Sequence, residues 1–444
     1  MKKIITLLIA IICLNSIIHA QEFDKKIEIL IDKSVGLYRF NGSILVCKNG
    51  KIVFEKAYGY QDIENKIINT PNTIYQVGSM TKQFTATVIL KLAEQNKLTL
   101  DDKISKYFPD FKRGNEITIK HLLTHTSGIS ELFRDSLFIQ ENKEKPISRE
   151  KLLSFFMNKP LYFEPGTKYL YCNSGYILLG LIIEKVTGKP YEQIVKGYIL
   201  KPLKMTHSGF DFAGLNSAQK AIGYTRFSKT ENIASKPWDS TATYSAGSLY
   251  STSNDLYLWH KGLLNNKILK RSSLEKAYTP FLEGYGLGCW IDSLYQRRVI
   301  SHGGNIEGFT SYFGRIQEDD VCVILLNNIY NREIESIGTS IFAILYDKPY
   351  HFFDEIKLSA DVLEKYVGKY EINPDYHIKI TRLNDQLFAQ IKEEPKFEIV
   401  ADKENSFFVK EEDIRIKFRA NADKTYRLVF YKGLNSKIGD KVME

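Results

Sequence analysis

The order of β-rich and helical stretches is what most restricts the fold of this chain. Two β-rich runs, at residues 42–47 and 51–57, flank Lys48-Asn49-Gly50, and an Asn-Gly pair between such runs suits a tight hairpin turn. From residue 79 to 96 the apolar side chains Phe84, Val88, Ile89, Leu92 and Ala93 recur at helical spacing, with Ser79 near the helix start. Helical patterns return at 149–157, at 174–187 before Gly188, and at 191–200 before Pro202. Strand-like runs then come back at 287–291, 297–302, 310–315 and 321–327, followed by a helical stretch over 333–346. With β elements at both ends of a helical middle, the chain reads as mixed α/β. Pro349 interrupts the pattern, and 347–360 is the expected linker. Short alternating segments follow at 377–382, 386–391, 397–400, 406–410, 414–419 and 426–431, the signature of an all-β meander or small barrel. The expected organisation is a leader at 1–20, a main domain at 21–346, the linker at 347–360, and a β-rich accessory domain at 361–444.

The 444 residues are 43% hydrophobic and 25% charged, which excludes a collagen-like, low-complexity or mainly disordered chain. No Arg-rich block or basic repeat focuses the net charge of +9, so a nucleic-acid partner is not expected. Lys2-Lys3, an apolar run over 4–14 and Ile18-His19-Ala20 read as an export signal cleaved after Ala20. That run is too short for the roughly 20 residues that span a bilayer, and no later stretch reaches that length. The mature chain is therefore expected without a transmembrane helix, in a bacterial periplasm or secreted. Cys47, Cys172, Cys289 and Cys322 are too scattered for a disulfide scaffold or a zinc motif and read as free, buried thiols. His121 and His125 stand four apart with no acid where a zinc protease has one, so they read as holding the turn around 124–128. Neither a metal nor a cofactor is expected.

Signatures of other enzyme classes, G-x-S-x-G, G-x-x-x-x-G-K-[ST] and H-E-x-x-H, are missing from the sequence. Ser79-Met80-Thr81-Lys82 places a hydroxyl and an ammonium three apart, on one helix face and within reach of each other. A base role for Lys82 requires burial or a nearby positive charge to lower its pKa. Tyr171 stands just ahead of the helix from Ser174, where a phenol exposed to a cleft can relay protons. Ser301-His302-Gly303-Gly304-Asn305 lies at a strand end, and a backbone N–H there can join that of Ser79 around a developing oxyanion. Each motif alone has a bland alternative: surface decoration for Ser79 and Lys82, a core tyrosine with Asn173 as N-cap, and an ordinary Gly-Gly turn.

Together, their order and spacing resemble the serine β-lactamase and penicillin-binding-protein superfamily, in its class C β-lactamase, DD-peptidase and esterase branch. The likeness runs through Gln76-Val77-Gly78-Ser79-Met80-Thr81-Lys82, Leu122-Leu123-Thr124-His125-Thr126-Ser127-Gly128, Glu164-Pro165-Gly166, Tyr171-Cys172-Asn173, Ser245-Ala246-Gly247-Ser248 and His302-Gly303-Gly304. It covers about residues 25–345. The resemblance implies an antiparallel sheet flanked by helices, with an all-helical lobe and the site between them. It also implies Ser79 as acylated nucleophile, Lys82 and Tyr171 sharing base and acid work, Asn173, His302, Gly303 and Gly304 contacting substrate, and the N–H groups of Ser79 and Asn305 as oxyanion hole. At one point the chain departs from the pattern. β-Lactamases carry a lysine and then a hydroxyl residue where His302 and Gly303 stand, so a substrate carboxylate loses contacts worth about 1.5–3 and about 1 kcal/mol. A neutral imidazole offers one donor and little attraction for an anion, and acid should add charge. The expected function is accordingly a serine hydrolase of small esters, peptides or cell-wall-derived molecules. A peptidoglycan DD-carboxypeptidase or class C-like β-lactamase is the alternative, and a catalytically weak envelope binding protein the alternative of another class.

Overall fold

The computed structural model describes residues 23–442 apart from 332, 351–354, 411–413, 422–424 and 433–434. The expected leader and its cleavage point lie outside the described residues. Strands β1 (Gly42–Lys48) and β2 (Lys51–Ala57) form the anticipated hairpin. Asn49 and Gly50 both take positive φ, 50° and 75°, as a tight hairpin turn demands. Four strands from the far end of the main region complete one antiparallel sheet: β3 (Trp290–Leu294), β4 (Arg297–Ile306), β5 (Phe309–Ile316) and β6 (Val321–Asn327). The order is β2-β1-β6-β5-β4-β3, with Cys47 of β1 opposite Cys322 of β6 and His302 of β4 opposite Phe313 of β5. Every residue of β6 is buried. The strand expected at 287–291 instead begins at Trp290, because Gly288 takes φ 88° and breaks the extended run.

The helical middle presses its own core against this sheet. Helix α1 (Thr81–Glu94) is buried along most of its length, and Phe84 stacks on Trp259 with ring centroids 4.5 Å apart. Burying such a side chain contributes about 1.5–3 kcal/mol. The short α2 (Ile119–Leu123) is opened by a capping box between Thr118 and His121. Helix α3 (Asn173–Thr187) ends at Gly188 in a left-handed conformation with φ 65°, the cap the sequence anticipates. Its Gly180 faces α4 (Ser240–Gly247): a Cβ at 180 would stand 2.1 Å from Ser245 Oγ, so the two helices approach as only glycine permits. Helices α5 (Ser253–Leu264) and α6 (Ile334–Leu345) pack on β6.

The C-terminal region closes into an eight-stranded antiparallel barrel: β7 (Gly368–Asn373), β8 (Tyr376–Leu383), β9 (Gln386–Ile391), β10 (Phe397–Lys403), β11 (Ser406–Phe408), β12 (Ile414–Ala420), β13 (Tyr426–Lys432) and β14 (Asn435–Val442). Its interior holds Tyr370, Ile380, Phe407, Phe418 and Leu428, with Tyr366 stacked on Phe418 at 4.4 Å. Strands β7 and β14, not anticipated from the sequence, pair with each other to close the barrel. β14, Asn-Ser-Lys-Ile-Gly-Asp-Lys-Val, lacks an apolar alternation because it is held by backbone pairing, and its Ile438 is exposed. The chain divides into two compact units, one running to Val35 and over 40–348, the other made of Gly36–Arg39 with 349–444. Among the described residues, no helix is long and apolar enough to cross a membrane.

Candidate active site

Ser79 sits in a single 3₁₀ turn, Gly78–Met80, that leads directly into α1. Its side chain faces a cavity of about 450 Å³. Lys82 lies one turn further on, fully buried. Its Nζ is 2.9 Å from Ser79 Oγ, 2.8 Å from Asn173 Oδ1 and 2.8 Å from the carbonyl oxygen of Ala246 at the end of α4. The two carbonyl groups can only accept. A neutral amine therefore gives both its N–H groups to them and keeps its lone pair for the Ser79 hydroxyl. Burial pushes the Lys82 pKa down to about 7, against an upward pull from Glu131, so that neutral form is populated near neutrality.

Asn173 does not cap α3, the bland alternative for it. Cys172 occupies the N-cap position without a side-chain cap bond, and Asn173 is the first helical residue. Glu131 fixes its side chain: the carboxylate accepts from the Asn173 backbone N–H at 2.5 Å and from Nδ2 at 3.0 Å, which turns Oδ1 toward Lys82. Sequence reasoning missed Glu131. It follows Ser127-Gly128-Ile129-Ser130 with no periodicity to mark it, and only the fold brings it to residue 173.

Tyr171 lies in the loop before α3, with Lys82 Nζ 4.9 Å from its ring centroid. Enclosure raises the pKa of its phenol and the Ser79 hydroxyl offsets part of that rise, so the group is a neutral phenol rather than a resident base. The ring rests on His125, centroids 4.2 Å apart, and His125 Nδ1 accepts the Cys172 N–H at 3.0 Å. The histidine pair thus does more than hold the 124–128 turn: His121 caps α2 and His125 secures the Tyr171 loop. Burial foremost, then nearby Lys82, holds His125 well below its usual pKa.

The glycine-rich segment is no turn; it runs inside β4. His302 is buried, and burial followed by nearby Lys82 lowers its pKa to about 3. Its Nδ1 is 2.6 Å from the Gly303 carbonyl oxygen, so the proton is on Nδ1, and Nε2 accepts from the Tyr285 hydroxyl at 2.9 Å. This corrects the expectation of a free donor that acid would charge: the donor is already spent, and burial keeps the ring neutral. Gly303 and Gly304 face opposite ways. A Cβ at 303 would stand 2.6 Å from Glu335 Oε1 on α6, and one at 304 would stand 1.9 Å from the Val77 carbonyl oxygen. Only glycine at 304 lets β4 lie against the Ser79 turn. Of the anticipated substrate contacts, Asn173 lines the cavity with Ser79 and Asn305, whereas His302, Gly303 and Gly304 do not. The rest of the wall is largely apolar, including Phe133, Ile139, Trp238 and Ile306; Glu307 lines it too, its carboxylate accepting from Lys143 Nζ at 2.8 Å and Trp238 Nε1 at 3.1 Å.

The Beta-lactamase family model matches residues 30–338. The chain belongs to the Beta-lactamase family. It is thus a serine hydrolase by kinship, with the mixed α/β fold of that family and a separate C-terminal barrel. A second family, Domain of unknown function (DUF3471), matches residues 354–442. The Bacillus subtilis (strain 168) protein PbpX, named as a penicillin-binding protein, is 34% identical over 69% of this chain and 75% of its own length. The octameric penicillin-binding protein homologue from Pyrococcus abyssi superposes with a TM-score of 0.71 at 26% identity, covering 93% of this chain and 99% of that one. A D-stereospecific amidohydrolase from Streptomyces sp. does so with a TM-score of 0.57 at 27% identity, over 65% and 88%. The family therefore includes penicillin-binding and amide-hydrolysing relatives of this chain.

Proposed function

We propose that this Beta-lactamase family member hydrolyses small esters and amides through an acyl-enzyme on Ser79. The observation that carries the reading is the three-way contact of a buried Lys82 with two carbonyl acceptors and one hydroxyl. As Ser79 Oγ attacks the substrate carbonyl carbon, its proton passes to the Lys82 lone pair. The N–H groups of Ser79 and Asn305 hold the oxyanion, and Tyr171, neutral at rest, carries a proton to the departing alcohol or amine. Water then releases the acyl group by the same path.

Substrate choice follows from the wall of the cavity. Its described lining is largely apolar, with neither lysine nor arginine, and the Glu307 carboxylate is already paired with Lys143, while His302 has no donor to spare. Uncharged acyl groups suit such a wall; carboxylate-bearing β-lactams and cell-wall stems do not. The test is kcat/KM for matched chromogenic esters and amides carrying a neutral, an ammonium or a carboxylate group, together with fluorophosphonate labelling mapped by mass spectrometry. Neutral substrates should be preferred, with the label on Ser79 and absent from Ser79→Ala. A preference for the carboxylate series would overturn the substrate reading, and label elsewhere would overturn the mechanism.

A further inference from the structure

Away from the cavity, three thiophilic side chains converge on one point of the sheet. Cys47 near the end of β1 stands opposite Cys322 at the start of β6, and α5 brings His260 to both. The two Sγ atoms and one ring nitrogen of His260 lie within 4.8 Å of one another, and all three residues are fully buried. Both thiols are free. The proposed hydrolysis uses none of them. From Cys322 to Asn327, the end of β6 level with the Asn305 side of the sheet, is roughly 17 Å of strand at about 3.4 Å per residue.

The chemistry of this set is selective. Two cysteines and a histidine are donors that zinc takes in preference to magnesium or calcium. Two thiolates balance a divalent cation and a neutral imidazole adds no charge, so the occupied cluster would bury no net charge. The histidine is already oriented. Its Nε2 is 2.8 Å from Asp320 Oδ1, and Asp320 Oδ2 is 2.9 Å from Lys261 Nζ. A carboxylate can only accept, so the neutral ring carries its proton on Nε2 and its lone pair on Nδ1. That Nδ1 is buried with no hydrogen-bond partner among the described residues. A carboxylate behind the imidazole is the usual support of a metal-binding histidine.

We infer that Cys47, His260 and Cys322 form a zinc site that ties β1, β6 and α5 together, with Asp320 orienting the imidazole. Zinc at about 2.3 Å from sulfur and about 2.1 Å from nitrogen needs donors roughly 3.6–3.8 Å apart, so the donors draw together by at most about 1.2 Å. Each thiol gives up its proton to solvent as its sulfur binds, two protons for each Zn²⁺ taken up. Water fills the fourth position.

The experiment uses the full chain, stripped with a chelator and titrated with Co²⁺ and then Zn²⁺. One Co²⁺ per chain should bind with thiolate-to-cobalt charge-transfer absorption, and one equivalent of Zn²⁺ should displace it and raise the melting temperature. His260→Gln should weaken binding at least tenfold, and Asp320→Asn roughly tenfold. Cys47→Ser with Cys322→Ser should abolish it, while ester hydrolysis by the wild-type chain is indifferent to the chelator. Should the double serine variant fail to fold, the charge-transfer band of the wild type and its loss in His260→Gln decide the matter by themselves. Absence of stoichiometric binding, binding without the charge-transfer band, unchanged binding in His260→Gln, or a Cys47–Cys322 disulfide in the peptide map would overturn the site.

Discussion

Lys82 has its state set by what surrounds it rather than by its own chemistry. Burial brings its pKa to about 7; the base is the unprotonated form, so kcat/KM for a neutral ester should rise as pH increases through about 7 and then level off. Lys82→Ala should lower kcat by roughly 10²–10⁴-fold in a chain that still folds, since it removes the proton acceptor. Glu131 is a positioning residue with a distinct signature. Its negative charge raises the Lys82 pKa, so Glu131→Gln should shift the acid limb of the pH profile to lower pH while kcat falls through loss of the Asn173 orientation. A pH profile that keeps its midpoint would leave Glu131 with a purely structural role. At this scale the short spacing of Ser79 and Lys82 is a local fact, whereas the roles of Tyr171 and Asn173 came with the family resemblance, since by themselves they also read as a core tyrosine and an N-cap. The sequence did not mark Glu131 or the Tyr285 hydroxyl that occupies His302, because those contacts join residues that no local pattern links.

Elements hold these atoms in place by close approach. Gly180 lets α3 lie against α4, whose Ala246 carbonyl takes one of the Lys82 N–H groups. Gly180→Ala would push a methyl group to within about 2 Å of Ser245 Oγ; the expected loss is about 1–3 kcal/mol in chemical denaturation, with kcat falling more than KM changes. Full activity at reduced stability would show that α4 yields without disturbing Ala246. Gly304 works alike on the sheet side, where the Val77 carbonyl leaves no room for a side chain. Helix α1 and the β1–β2 hairpin were legible from periodicity and turn chemistry, which are encoded within a few residues. The true start of β3 was not, since the Gly288 kink overrides an apolar run that reads as extended.

Over the whole molecule, the barrel carries its own core of Tyr366, Tyr370, Phe407 and Phe418. A chain ending at Lys348 should therefore remain folded and hydrolyse a small ester. The contacts of Leu37 with Val400 and Phe408, and of Arg39 with the Val409 carbonyl at 3.2 Å, lie within the second unit and go with it. Circular dichroism melts and ester turnover of the shortened chain check this; an unfolded product would mean that the first unit depends on the second.

What the sequence determined by itself is what short-range rules encode: alternation and helical periodicity, the Asn49-Gly50 turn, the Gly188 cap, and the family kinship carried by motifs spread over about residues 25–345. What the tertiary structure alone decided is everything that depends on burial and on meetings between distant segments. His302 could be read as a titratable donor in the sequence and is a neutral, fully engaged imidazole in the fold. Cys47, His260 and Cys322, too scattered to read as ligands, come together only because β1 and β6 pair in register and α5 covers them. The physical reason is common to both cases: desolvation and convergence of donors are properties of a packed interior, and residues far apart in the chain acquire them only when the sheet is assembled.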